Sequence, residues 1–119
     1  MNKVGASFII ANNSTIYGST GASLTNAGTL IKRGGGDSEI RDTTTNTGTI
    51  SIASGTLSLG GTNNSLGGTV SGPGTLELYG GTDKFNSGLA LNTGSVLLDG
   101  ANLTLAISPT YAEIGRAHV

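Results

Sequence analysis

The carboxylates best placed to do chemistry lie in the segment KRGGGDSEIRD, residues 32–42. Asp37, Glu39 and Asp42 stand close together there, and such carboxylates can bind calcium or act as the acid and base of a sugar-cleaving enzyme. The same segment carries cations that offset their charge, namely Lys32, Arg33 and Arg41. A solvated charged loop is the simpler interpretation, and we predict that residues 32–42 form a loop that protrudes from the fold.

A further acid, Glu77, lies between Leu76 and Leu78 and is expected to point outward from a strand. At the repeat spacing described below, it stands level with Ser58 and Leu97. Neither of these neighbours is acidic, so the position lacks the second carboxylate that glycoside hydrolysis uses.

Other catalytic and binding motifs give no stronger candidate. His118 is the only histidine, and it lies in a C-terminal stretch unlike the rest of the chain, which argues against a serine triad or a histidine metal site. Lys84 follows an aspartate rather than a glycine-rich loop, so it does not match a phosphate-binding lysine. We predict no catalytic, cofactor-binding or metal-binding residue, no cofactor and no enzyme activity.

Composition excludes several classes of partner. Only 11% of the residues are charged and the net charge is -1, so there is no basic surface for nucleic acid or anionic lipid. The apolar stretches are too short to cross a bilayer, and no membrane insertion is expected. With no cysteine, the chain has neither a disulfide scaffold nor a thiolate zinc site. The N-terminus lacks a complete secretion signal, so we expect a piece of a longer protein.

The chain contains 21 glycines, and together with Thr, Ser and Asn they fill about half of its positions. These residues recur at a fixed interval of about twenty. Three glycine series have this spacing: Gly28, Gly48, Gly68 and Gly88; Gly60, Gly80 and Gly100; Gly55, Gly74 and Gly94. Such internal similarity is typical of solenoid proteins. A disordered linker of the same composition would not need phased aliphatic residues.

Aliphatic residues follow the same interval and alternate with polar ones, which predicts short strands with one buried face. Three columns are expected: Leu30, Ile50, Val70 and Ala90; Leu57, Leu76 and Val96; Leu59, Leu78 and Leu98. Asparagine recurs as well, at Asn26, Asn46 and Asn86 with Leu66 as the exception, and its side-chain amides can bridge neighbouring coils.

Stacking like residues on like favours a coil over a sandwich of hairpins. We therefore predict an all-β fold, a right-handed parallel β-helix (β-solenoid) of five to six coils, roughly triangular in section, with about 20 residues per coil. The repeats span residues 28–105. Residues 1–27 are expected to form an irregular first coil or a cap. Residues 106–119, which lose the pattern, resemble translated cloning sequence or read-through.

The phrases in residues 54–83 resemble the passenger-associated repeat of bacterial autotransporter proteins. That repeat runs from a Gly-Thr-Leu-x-Leu strand through an Asn-bearing turn to Gly-Gly-Thr. Its positions are matched by Gly55, Thr56, Leu57, Leu59, Asn63, Gly67, Gly68, Thr69, Gly74, Thr75, Leu76 and Leu78. The likeness covers residues 45–105.

This resemblance implies a non-catalytic stalk segment of an adhesin-like passenger, secreted or displayed on the outer membrane of a Gram-negative cell. A host-surface or glycan ligand is the expected partner. The alternative from another class is a fragment of a carbohydrate-active β-helix enzyme, with residues 37–42 as its acidic site. An ice-binding solenoid is a third hypothesis, but Thr29, Thr49 and Thr69 form only a single file. Open strand edges at the two ends predict end-to-end self-association.

Overall fold

The structure is a computed structural model that describes residues 1–18 and 21–105, together with the backbone of residues 117–118. The described residues form strands and turns and contain no helix. The strand ladders are parallel, and each coil of the chain passes through three of them in turn. The predicted parallel β-solenoid is thereby confirmed, with five coils of about 20 residues stacked on one another.

Three faces, numbered in the order in which the chain meets them, make up each coil. Face 1 contains β1 (Ser7–Ala11), β4 (Thr29–Arg33), β7 (Thr49–Ile52) and the first parts of β10 (Thr69–Tyr79) and β12 (Ala90–Asp99). Face 2 contains β2 (Thr15–Ile16), β5 (Asp37–Ile40), β8 (Thr56–Leu59), the second parts of β10 and β12, and β14 (Ala117–His118). Face 3 contains β3 (Ser23–Asn26), β6 (Thr43–Asn46), β9 (Asn63–Leu66), β11 (Thr82–Phe85) and β13 (Asn102–Leu105). The section is triangular, as the spacing of the glycines predicted.

The register places like residues on one another. Thr29 pairs with Thr49, and Thr49 pairs with Thr69, so successive coils on face 1 are offset by one sequence repeat. Gly48 lies directly above Gly28. The next residue, Thr49, donates its amide to the Gly28 carbonyl over 2.9 Å, which holds the two corners together. A Cβ on Gly48 would lie well inside 3.0 Å of that carbonyl oxygen. Glycine at this corner is required by the close approach of the coil below.

Alternate side chains of every face point into the coil and form one continuous core. Two of the predicted aliphatic columns are confirmed by the register, Leu57 with Leu76 and Val96, and Leu59 with Leu78 and Leu98. Most of these inward side chains are completely buried. Because burial of one such side chain stabilises a protein by about 1.5–3 kcal/mol, the columns are the main stabilising element of the fold.

The third aliphatic column differs from the prediction at its last member. Val70 pairs with Leu91, and Ala90 faces outward beside Thr69. The turn between β11 and β12 contains four residues, two more than the turn between β9 and β10, and Gly88 lies in it with a φ of 85°. Gly88 is therefore not stacked on Gly68, whose carbonyl instead accepts a hydrogen bond from the Ala90 amide.

The asparagine column is displaced in the same way. Asn26 pairs with Asn46 and Asn46 with Leu66, as predicted, but Leu66 is followed by Phe85 rather than Asn86. Asn86 lies one residue beyond, outside the strand, because a 19-residue coil separates β9 from β11. The column thus changes from amide to apolar side chains halfway along the solenoid.

The segment 32–42, predicted as a protruding loop, belongs to the coil. Asp37–Ile40 form strand β5, in which Ile40 is buried against Leu59. Lys32 lies within strand β4 rather than in a loop. Its side chain points inward and is 0% exposed, and Nζ donates to the carbonyls of Arg33 and Gly34. The three glycines of the segment form the corner between faces 1 and 2, which leaves no room for a separate loop.

Both ends of the chain continue the stacking. Residues 1–27 contribute β1, β2 and β3, the three strands of the first coil, and Asn2 bridges the outer edge of β3 at Asn26. Of the C-terminal stretch 106–119, only the backbone of 117–118 is described, and it pairs with the second part of β12. Within the described part of the chain, no helix has the length and apolar character needed to cross a membrane.

Candidate functional site on face 2

On the outer surface of face 2, polar side chains of successive coils form hydrogen bonds with one another. Strands β5, β8 and β10 place Glu39, Ser58 and Glu77 in one outward column. Glu77 stands level with Ser58 and Leu97, as predicted, and accepts a hydrogen bond from the Ser58 hydroxyl over 2.5 Å. Glu39 was not expected in this column, because residues 37–40 were predicted to form part of a loop.

Glu39 is held by two donors. The Tyr79 hydroxyl and the Arg41 Nε–H both donate to its Oε1, and the Tyr79 ring reaches the acid by lying across Gly60 of the intervening coil. These contacts, that of Tyr79 first and that of Arg41 second, lower the pKa of the Glu39 carboxyl. A carboxyl whose pKa is lowered holds no proton near neutral pH, so Glu39 is poorly suited to be a general acid.

The partners of Glu39 respond in the opposite direction. Burial, and then the bond to Glu39, raises the pKa of the Tyr79 hydroxyl, which therefore stays protonated as a donor. The same carboxylate raises the pKa of the Arg41 guanidinium, whose other face lies over the Tyr17 ring with Cζ 5.9 Å from the ring centroid. These side chains contact one another in series, and the two charged ones, Glu39 and Arg41, are paired with each other.

A cleft of about 340 Å³ opens where face 2 meets face 3, and we refer to it as the Tyr17 cleft. Tyr17, Arg41 and Asp42 line it, and the Gly18 amide donates to Oδ1 of Asp42 over 2.7 Å. The lining is completed by small and hydroxyl-bearing residues: Gly21, Ala22, Thr43 and Thr62.

The three acids of the predicted acidic segment have separate environments. Asp37 is exposed at the start of β5, Glu39 is paired with Tyr79 and Arg41, and Asp42 bonds to the backbone beside the cleft. Among the residues that the structure describes, no group of three acidic, histidine or cysteine side chains could hold a metal ion. The side chain of His118 lies outside the described residues, and Lys84 is exposed on β11.

A buried acid that the sequence analysis did not single out lies inside face 3. Asp83 is 0% exposed, between Asn64 of the coil below and Leu103 of the coil above. Asn64 donates to its Oδ1 over 2.8 Å, while Oδ2 has no hydrogen-bond partner within the described residues. Burial raises the pKa of the Asp83 carboxyl, which the bond from Asn64 partly offsets. Enclosed in the core, this acid cannot reach an external ligand.

A second cleft, of about 300 Å³, lies at the corner between faces 1 and 2 in the last two coils. Its lining consists of Gly72, Pro73, Asn92, Thr93 and Gly94 and carries no charged side chain. The Tyr17 cleft is therefore the one of these two that combines an aromatic ring with charged groups.

Comparison with known proteins gives no significant match to a family model, to a curated protein or to a solved structure. The chemistry of the described surface is thus the remaining guide to function.

Proposed function

We propose that this chain is a non-catalytic stalk segment of a secreted or cell-surface passenger protein of the adhesin type. The observation that carries the proposal is the uninterrupted stack of five coils on one hydrophobic core. A solenoid of this kind holds its two ends a fixed distance apart, because each coil contacts only its neighbours and adds the strand spacing of about 4.8 Å.

The surface chemistry supports a structural role. On face 2, the charged side chains of Glu39 and Arg41 are paired with each other, and Glu39 also accepts from the Tyr79 hydroxyl. The chain has a single histidine, His118, and no other side chain of the kind that usually serves as the base of a serine or cysteine nucleophile. A stacked segment of modest charge suits the display of a more distal binding region.

The proposal is tested by display. The chain is fused between a secretion signal and the outer-membrane translocator of a known surface protein in a Gram-negative host, and protease accessibility is measured on whole cells. We expect full-length chain on the surface. A matched pair of variants, Gly48→Ala at the crowded corner and Gly35→Ala in open space, should lower and preserve display respectively. Retention and degradation of all three chains in the periplasm would contradict a stalk function.

The alternative of a carbohydrate-active enzyme requires two working carboxylates on one face. Glu39 and Glu77 share the outward column of face 2, with Ser58 between them. Two strand spacings of about 4.8 Å put their backbones about 9.6 Å apart, whereas the carboxyl groups of inverting glycosidases lie about 6.5–9.5 Å apart. The lowered pKa of Glu39 and the bond of Ser58 to Glu77 oppose this role. Turnover of pectin-type or neutral glycans that disappears in Glu39→Gln would establish the enzyme and overturn the stalk.

An ice-binding surface is the least supported function. Thr29, Thr49 and Thr69 stack in register on face 1, but they form a single file without a parallel file of threonines beside it. A thermal hysteresis assay is expected to show no activity.

A further inference from the structure

One wall of the Tyr17 cleft is an aromatic ring that is largely open to solvent. Tyr17 is 68% exposed, although tyrosine is a residue that proteins normally cover in large part. Its ring is oriented by the Arg41 guanidinium on one side. The remaining ring surface is a flat apolar platform, of the kind on which the C–H face of a sugar ring can stack.

The polar groups of the cleft supply donors and acceptors around that platform. Arg41 uses Nε for Glu39, so its terminal N–H groups can donate in parallel to two adjacent oxygens. Asp42 has one oxygen bound by the Gly18 amide and a second that can accept from a hydroxyl. The hydroxyls of Thr43 and Thr62 lie on the same lining. Adjacent hydroxyl groups on a ring match this arrangement, because each can accept from one side group and donate to another.

The charge and the volume of the cleft restrict the class of ligand further. Of the charged residues that line the cleft, Arg41 is already paired with Glu39 and Asp42 is a carboxylate, so the site has a net negative charge and disfavours uronates, sialic acids and phosphates. The cleft volume of about 340 Å³ lies at the small end of the range for ligand pockets, roughly 300–1,000 Å³.

We propose that the Tyr17 cleft binds a neutral saccharide of one or two rings, with Tyr17 as the stacking residue and Arg41 and Asp42 as the hydroxyl-binding residues. The inference does not rest on the stalk function, since a sugar site of this kind could belong to any extracellular or intracellular solenoid. It assigns a ligand class to residues on the side of the stalk rather than at its tip.

The test is a titration of the nitrogen-15-labelled chain, followed by amide chemical shifts. The neutral probes are lactose, maltose and cellobiose, and the acidic probes are sialyllactose and digalacturonate. We expect saturable shifts with at least one neutral disaccharide, centred on residues 17–18, 41–43 and 62. The acidic probes should bind at least about tenfold more weakly, the factor that corresponds to 1.4 kcal/mol of repulsion.

Two variants and a control separate stacking from general surface effects. Tyr17→Ala removes the platform and Arg41→Gln removes the paired donors, and each should weaken binding about tenfold or more. Both side chains are largely exposed, so the dispersion of the amide spectrum should be retained. Asn92→Ala, in the second cleft, should leave the titration unchanged. Absence of saturable shifts with all three neutral probes, equal binding by Tyr17→Ala, or tighter binding of an acidic probe would each overturn the proposal.

Discussion

The buried asparagine column predicts a large loss of stability when one amide is removed. Asn26 lies in its middle, where Oδ1 accepts from the Asn2 amide over 2.8 Å and Nδ2 donates to Asn46 Oδ1 over 2.7 Å. Nδ2 also donates to the Thr49 carbonyl over 2.9 Å. Because Asn26 is completely buried, water cannot replace these partners.

The expected magnitude for Asn26→Ala follows from those contacts. Each lost hydrogen bond costs about 1 kcal/mol, and leaving the buried Asn46 oxygen without its donor adds about 1–3 kcal/mol. The total of roughly 4–6 kcal/mol is a large share of the roughly 5–15 kcal/mol by which small domains are stable. Urea unfolding followed by far-UV circular dichroism measures the change.

Two further variants show whether the column itself is responsible. Asn86→Ala is the control, because Asn86 lies outside the column and makes one bond, to the Ser65 hydroxyl over 2.7 Å, so about 1 kcal/mol should be lost. Asn26→Asp keeps the volume but loses both donated bonds and buries a charge, so it should be at least as unstable as Asn26→Ala at neutral pH. A loss below about 1 kcal/mol for Asn26→Ala, or one equal to that of Asn86→Ala, would refute the reasoning.

Three other perturbations have defined outcomes. Gly48→Ala should lower the free energy of unfolding by about 3 kcal/mol, because its Cβ would overlap the carbonyl oxygen below, whereas Gly35→Ala in open space should change it by less than about 1 kcal/mol. Asp83→Asn should become more stable relative to wild type as pH rises above about 4. The pKa of the Asp83 carboxyl is raised in the folded state, so wild type loses stability as pH rises from the unfolded pKa towards the folded one. Urea titrations from pH 3 to 7 that show a constant difference between the two proteins would count against this. The open edge of β1, with Phe8 38% and Ile9 47% exposed, should cause end-to-end association that grows with concentration, and light scattering of a concentrated sample that remains monomeric would contradict it.

Much of the architecture could be predicted because one physical signal repeats along the chain. Strand alternation placed Leu57 and Leu76 in one column, and glycine spacing placed the corners. Small changes in coil length were not predictable from spacing alone: Val70 and Leu91 are 21 residues apart rather than 20, so Leu91 occupies the position expected for Ala90. A shift of one residue exchanges the inner and outer faces of a strand, so a constant interval cannot locate it.

Charge misled the prediction at Lys32, and the buried Asp83 was not foreseen. Lys32 follows the inward Leu30 at an interval of two, and Asp83 precedes the inward Phe85 at the same interval, so alternation alone places both side chains inside. Ionisable residues are rarely buried, and this expectation favoured a loop for the segment that contains Lys32. The Tyr17 cleft had no sequence signal, because its lining combines residues from three different coils.

The change at Leu66 from amide to apolar side chains makes the coils chemically unequal. A duplicated second coil would extend the run of amides, and a duplicated fourth coil would extend the run of apolar groups, each with matched neighbours. Exchanging the second and fourth coils would place an amide side chain between apolar side chains of the coils above and below it. The side chains of this column therefore fix the order of the coils. The solenoid can be lengthened by duplicating a coil, but the second and fourth coils cannot be exchanged.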